Sequence, residues 1–251
     1  MKTNGEISCP GLDKSNIRSY YKTVRTKIVS KVSKKEKGTG SAARPRILES
    51  ARELFLGHGF VRVTADDIAG RIGISKATLY KEFASKEEIL RAVVRGLMAE
   101  ASGRVDAIMR EDGLGFVDKL AKLFALIVNT ISRFGPLFLR DIQRGVPAVW
   151  QEVETFRRDK INTNLKVILA AGRGQGLFRG DIDEDFLMRM FISLVEEFVN
   201  PAEVLRSGRT PAEMFESVIK VFFQGILTDK GRLDFSAKTP ALFERRKEGA
   251  S

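Results

Sequence analysis

The stretch Thr64 to Phe83, TADDIAGRIGISKATLYKEF, constrains this chain most. It carries the punctuation of two short helices joined at a tight turn. Thr64 stands before the first helical run, with Asp67 three residues on, the spacing of a capping box. Asp66 and Asp67 also suit the positive end of a helix dipole. Ile68, Ala69 and Ile72 make the inward face. Gly73 makes the turn, and Ser75 caps the next helix. On that second helix Ala77 is small, Tyr80 and Phe83 share a face, and Lys76 and Lys81 project outward.

Helical spacing continues on both sides. Ile47, Leu48, Ala51, Leu54 and Phe55 form one apolar stripe on a helix from about Pro45 to Leu56. The GHG at 57–59 stops it. Ser85 with Glu88 opens a further helix through Ile89, Val93 and Leu97. Downstream, Gly113, Gly115, Gly135-Pro136 and Val146-Pro147 separate more runs of this kind. The glycine-rich GRGQGLFRGDID, residues 172–183, follows a helix and lacks the G-x-G-x-x-G spacing, so it reads as a helix-ending loop. Asn200-Pro201 ends or kinks the helix carrying Leu187, Met190, Phe191, Leu194, Val195 and Phe198. Thr210-Pro211-Ala212-Glu213 opens the last helix with a cap, a proline and a box glutamate together. Its apolar face, Met214 to Ile226, is wide enough either to sit deep in a core or to be shared with a second molecule. Period-two alternation is scarce, so the fold class is all-α.

A helix-turn-helix places its second helix in the major groove of DNA. Here Ser75 and Thr78 have hydroxyls for phosphate or base, and Lys76 and Lys81 have ammonium groups for phosphate or guanine acceptors. The methyl of Ala77 or Thr78 suits a thymine methyl. Tyr80 is of the same contacting type. A plain helical hairpin with its Lys and Tyr in solvent has the same spacing, so spacing alone leaves both readings open.

ARELFLGHGF followed by VTADDIAGRIGISKATLYKEFASKEEIL resembles the DNA-binding half of the TetR family of bacterial transcriptional regulators. The matching points are Ala51, Phe55, Gly59, Phe60, Thr64, Ile68, Ala69, Gly73, Thr78, Tyr80, Phe83, Lys86 and Leu90. The resemblance covers residues 44–91 in detail and the remainder in architecture only. It implies that Thr64, Ser75, Lys76, Thr78, Tyr80, Lys81 and Lys86 approach DNA, with Ala77 at the same surface. Phe55, Ile68, Ile72 and Phe83 would belong to the small core. It implies a helix-turn-helix domain at 44–91 and a helical regulatory and dimerisation domain at 92–232; the polar, basic, unpatterned residues 1–43, longer than a typical family start, read as a flexible arm, and the polar, charged residues 233–251 as a flexible tail.

The same resemblance implies a homodimer on a palindromic operator, paired through the last two long helices. The candidates for that contact are Leu187, Phe191, Leu194, Phe198, Phe215, Ile219, Phe222 and Phe223. It also implies a small-molecule effector. Phe124, Ile127, Val128, Ile131, Phe134, Trp150, Phe156 and Leu165 are the candidates to line its site, which suits a hydrophobic or aromatic compound. A phenylalanine stripe at this spacing is more often the mark of ordinary helix packing.

Charge and rare residues narrow the alternatives. The net charge is +11, of which +7 lies in residues 1–43, with ten Lys or Arg against three acidic residues. Such an arm attracts nucleic acid or anionic membrane without regard to sequence, so a non-specific binder is the main rival reading. An enzyme with a helical pocket is the other. The single histidine, His58, and the single cysteine, Cys9, supply neither a zinc set nor a histidine-based triad. No metal, cofactor or catalytic residue is expected. Nor does any run of about twenty apolar residues suit a bilayer, so the expectation is a cytoplasmic protein without a membrane partner.

Overall fold

Proline and glycine break the chain at the positions the sequence marks, and helices fill the intervals. The structure, a computed structural model, describes residues 42–111 and 113–238. The basic arm lies outside them apart from its last two residues. Among the described residues the order is α1 (Ala43–His58), α2 (Ala65–Arg71), α3 (Lys76–Glu82), α4 (Lys86–Arg110), α5 (Phe116–Ile131), α6 (Pro136–Gly145), α7 (Pro147–Gly174), α8 (Glu184–Phe198), α9 (Pro201–Ser207), α10 (Pro211–Ile226) and α11 (Asp229–Lys238). The all-α class is as expected. The extended contact is an isolated antiparallel bridge, Phe178 to Leu227. No single described helix is long and apolar enough to cross a membrane.

Two apolar cores organise these helices. The first gathers Ile47, Ala51 and Phe55 of α1 with Ile68, Leu79, Phe83, Ile89 and Leu90. It is completed by Phe138 and Ile142 of α6 and by Val149 and Trp150 of α7. Short helices with few apolar residues cannot close a core alone. The expected boundary between 91 and 92 therefore falls inside α4, a continuous rod of about 37 Å, and the head takes its lid from the body.

The second core belongs to α5, α7, α8, α10 and α11. Its centre is a set of phenylalanines: the rings of Phe124 and Phe223 lie 5.0 Å apart, Phe191 and Phe222 4.7 Å, and Phe222 and Phe223 5.2 Å. Their tilted and edge-on packing adds about 0.5–1.5 kcal/mol per pair beyond burial.

The 172–183 segment ends α7 and is clipped to the end of α10. Arg179 N–H donates to Ile226 O at 2.8 Å, and Thr228 N–H to Leu177 O at 3.0 Å. Only glycine fits at 172, because a Cβ there would lie 2.2 Å from the Phe178 ring. Asn200-Pro201 ends α8 and starts α9, with Asn200 Oδ1 accepting Glu203 N–H at 2.9 Å.

A flexible tail is expected from residue 233. Residues 233–238 belong to α11, and Phe235 is 1% exposed beside Phe178. One buried ring in a mostly polar helix of ten residues anchors it, which is too sparse a signal for periodicity to register. Residues 239–251 lie outside the described residues.

Candidate nucleic-acid interface

The turn between α2 and α3 is built by its own backbone. Ile74 N–H reaches Ala69 O at 3.0 Å, and Gly73 N–H reaches Gly70 O at 3.2 Å. Gly73 has φ of +69°, a left-handed conformation that costs an L side chain about 1–2 kcal/mol. At the start of α2, Thr64 Oγ1 accepts Asp67 N–H at 3.1 Å, while Asp67 Oδ2 accepts Thr64 N–H at 2.8 Å. The Thr64 hydroxyl also donates to Asp67 Oδ2, at 2.7 Å, and the Thr64 backbone and hydroxyl donors together hold the Asp67 carboxyl below the usual aspartate range. Ser75 Oγ accepts Thr78 N–H at 3.0 Å and lies 2.9 Å from Thr78 Oγ1.

α3 has a single fully buried anchor, Leu79, which the sequence reading did not single out. Anchored there, the helix turns Lys76, Ala77, Tyr80 and Lys81 to solvent, with Ser75 exposed at its cap and Thr78 half-buried. Lys76 and Tyr80, and Ala77 and Lys81, are each one turn apart, so the four form a continuous outer surface. The shared face expected for Tyr80 and Phe83 is corrected: Tyr80 is 42% exposed and Phe83 1%. Phe83 already lies past the helix end, on extended backbone, so helical spacing no longer applies to it. Phe55 and Ile68 are fully buried, and Ile72 packs at the edge.

Lys76 Nζ pairs with Asp66 Oδ2 at 2.8 Å, and the two side chains are 53% and 65% exposed. Asp66 draws the lysine pKa upward. An ion pair this open contributes little and is easily exchanged for another anion.

Lys86 has a different setting. Its ammonium donates to Phe60 O at 3.0 Å and Val63 O at 2.8 Å, and lies 4.3 Å from the Phe60 ring centroid. Burial pushes its pKa down. Two of its three donors are thus committed to the loop that leads into Thr64. Asp141 of α6, 7% exposed, grips the same loop by accepting Val61 N–H at 3.0 Å. Lys86→Met will lower stability by about 1–3 kcal/mol through loss of these charge-assisted bonds. Chemical denaturation measures this, and an unchanged midpoint would contradict it.

Two arginines went unnoticed in the sequence. Arg44 Nη1 donates to Glu82 O at 2.6 Å, and Arg46 Nη2 donates to Ile72 O at 2.7 Å. A signal for them exists: both are cations in the first turn of a helix, against its dipole, so a compensating partner elsewhere is implied.

The effector candidates are divided between the two cores. Phe124 and Leu165 are buried in the body core, with Ile127, Val128 and Ile131 packed against it. Phe134 and Trp150 belong to the head-side core. Phe156 is half-buried. Phe134 also lines a small cavity of about 10 Å³ with Leu97, Glu100 and Thr130. A cavity of about 170 Å³ lies between His58, Arg62, Leu137 and Asp141, and none of the eight candidates lines it.

The dimer candidates need correction. Leu187, Phe191, Phe215, Ile219, Phe222 and Phe223 are at most 6% exposed within one chain. They fill the phenylalanine core, so they are not available to a partner's surface. Leu194 is half-buried, and Phe198 is 40% exposed. The outward sides of α8 and α10 carry other residues: Phe186, Ser193 and Glu197 on the first, Glu216, Val221 and Gln224 on the second. Val221 is 71% exposed.

A profile of the family described as "Bacterial regulatory proteins, tetR family" matches residues 47–93. The Bacillus subtilis HTH-type transcriptional regulator YvaF is 25% identical over 185 residues, 74% of this chain and 96% of that protein. The Rhodococcus jostii HTH-type transcriptional repressor KstR2 is 28% identical over 161 residues, 59% of this chain and 74% of the relative. Among solved structures, a TetR-family regulator from Marinobacter aquaeolei shares the fold with a TM-score of 0.63 at 18% identity, covering 81% of this chain and all of that one. A TetR/AcrR-family regulator from Thermobifida fusca has a TM-score of 0.53 at 25% identity, covering 74% and 98%. These relatives are transcriptional regulators rather than enzymes. Residues 47–93 match the tetR-family model, and in its helix-turn-helix and helical body the chain is similar to DNA-binding transcriptional regulators of that family.

Proposed function

We propose that a dimer of this chain represses transcription by laying two copies of α3 into successive major-groove faces of a palindromic operator. The observation that carries this is the outer surface of α3. Lys76, Ala77, Tyr80 and Lys81 stand in solvent opposite the buried Leu79, next to the exposed Ser75 cap. Ser75 and Thr78 offer hydroxyls, and Lys76 exchanges Asp66 for phosphate. Tyr80 and Lys81 reach for base edges or backbone, and Ala77 allows close approach. Thr64 brings the amide-rich end of α2 to a phosphate. The third N–H of Lys86 is the donor left for the same backbone.

The second copy docks on the outer sides of α8 and α10. A hydrophobic or aromatic effector enters among the middle helices, where Phe124, Ile127, Val128, Ile131, Phe134, Trp150, Phe156 and Leu165 are the residues to probe. DNA and effector then favour different arrangements of one dimer, and each lowers affinity for the other by the same factor. Repression is the action named for the Rhodococcus relative. The site of action is the cytoplasm, and no chemistry is catalysed.

Selection of duplexes from a random pool, followed by footprinting, tests this reading. The expected result is a palindrome protected in two half-sites about one helical turn, or a multiple of it, apart. If random DNA competes as well as the selected duplex, the basic arm drives non-specific binding and the proposal fails.

A further inference from the structure

We propose that Arg44 and Arg46 set the tilt of the reading helix, and thereby operator specificity, by clamping the C-terminal ends of both helices of the helix-turn-helix to the first turn of α1. This rests on the reading that α3 meets base edges.

A helix of seven residues, α3 has one buried anchor, Leu79. One anchor fixes how deep a helix sits and leaves its tilt free. The ends must supply the remaining constraint. At the N-terminus Ser75 does so through its cap bond. At the C-terminus there is no left-handed glycine: Phe83 is extended, with φ of −140° and ψ of 126°. The last carbonyls of such a helix need outside donors. Arg44 provides one, its Nη1 being 2.6 Å from Glu82 O. The same guanidinium lies 4.0 Å over the ring of Phe83, the residue at which the chain leaves the helix.

α2 ends differently, on the left-handed Gly73, yet the carbonyl of its C-cap residue Ile72 also takes an outside donor, Arg46 Nη2 at 2.7 Å. Both clamps arise within three residues of α1. That helix is itself held by Ile47, Ala51 and Phe55, none of which is exposed. The two reading-unit helices are therefore referenced to one rigid turn. A cation suits the C-terminal end of each, whereas it is disfavoured at the start of α1. Base contacts require bidentate alignment, while a phosphate contact tolerates a shift of position. Loosening the clamp should therefore reduce discrimination more than it reduces general affinity.

The test uses the full chain with Arg44→Met, Arg46→Met, the double variant, and the Lys replacements. Each is titrated over a salt series with the operator selected by the unaltered chain and with a random duplex of equal length. The double Met variant should lose about ten-fold or more in operator affinity, as misaligned base contacts would. Its affinity for random DNA and its salt slope there should stay within about two-fold. Arg46→Lys should restore most of the loss, since one donor suffices. Arg44→Lys should restore less, because an ammonium does not lie flat on Phe83.

Circular dichroism and sedimentation confirm that each variant is folded and dimeric. Arg46 is exposed, so its single variant keeps the test usable if the double variant unfolds. A parallel fall for both DNAs, with a slope flatter by about one unit per arginine, would overturn the proposal in favour of phosphate contacts. Unchanged operator affinity would overturn it as well. Tyr80→Ala runs alongside: if it weakens the operator complex and the arginine variants do not, only the clamp fails. If Tyr80→Ala is also silent, the assignment of α3 fails with it.

Discussion

Phe222→Asp will unfold the helical body. Phe222 is 2% exposed, with the Phe191 ring centroid at 4.7 Å and that of Phe223 at 5.2 Å. The substitution removes an aromatic side chain and puts a carboxylate among rings that donate no hydrogen bond. Truncating a buried phenylalanine costs about 3–5 kcal/mol. Burying an unpaired charge adds several kcal/mol more unless the group takes up a proton. Together these approach the whole stability of a domain, about 5–15 kcal/mol. Chemical denaturation followed by circular dichroism should show a collapsed transition. A variant that stays folded and merely becomes monomeric would place this ring at the subunit surface. Val221→Asp, one residue earlier, is the counterpart. At 71% exposed, Val221 loses nothing within the chain, so the fold should persist while sedimentation shows weakened pairing. A Val221→Asp variant as tightly dimeric as the parent would move the interface elsewhere.

The second large effect is expected on α3. Tyr80→Ala and Thr78→Ala should each cost about 1–3 kcal/mol of operator binding, from roughly five-fold to over a hundred-fold. Tyr80 is 42% exposed, so its loss should leave stability nearly unchanged and report on DNA alone. Thr78 also closes the Ser75 cap, with hydroxyl oxygens 2.9 Å apart, so its variant should show a small drop in stability too. Being neighbours on one helix, the pair need not be additive. Titration with the selected operator checks both. Affinity unchanged in the two variants would remove α3 from the interface.

The head was legible in the sequence because its signals are local. Thr64 with Asp67, Gly73, and Ser75 act within three or four residues, and each carries its meaning wherever the chain folds. The surroundings that local spacing leaves open depend on distant partners. Lys86 has the look of a phosphate contact, and two of its three donors are taken by carbonyls at residues 60 and 63. Arg44 and Arg46 acquire a role only when α3 and the turn are brought beside α1. Nothing nearby in sequence tells α4 that Phe138 and Trp150 will complete its core.

The body shows the same limit in another form. A wide apolar face on α10 is equally consistent with a core and with an interface. Which it is depends on whether α5, α8 and α11 cover it. They do cover Phe215, Ile219, Phe222 and Phe223, and the free side of α10 bears the less conspicuous Val221, Gln224 and Gly225. α11 was missed because Phe235 stands almost alone among polar neighbours.

Methylation interference on the selected operator tests most directly the claim that α3 reads the major groove. Dimethyl sulfate modifies guanine N7, which faces that groove, and adenine N3, which faces the minor one. The account predicts that N7 methylation at guanines in both half-sites blocks binding of the full chain, while N3 methylation there is tolerated. Interference confined to adenine N3, or absent from both grooves while the chain still binds, would contradict it.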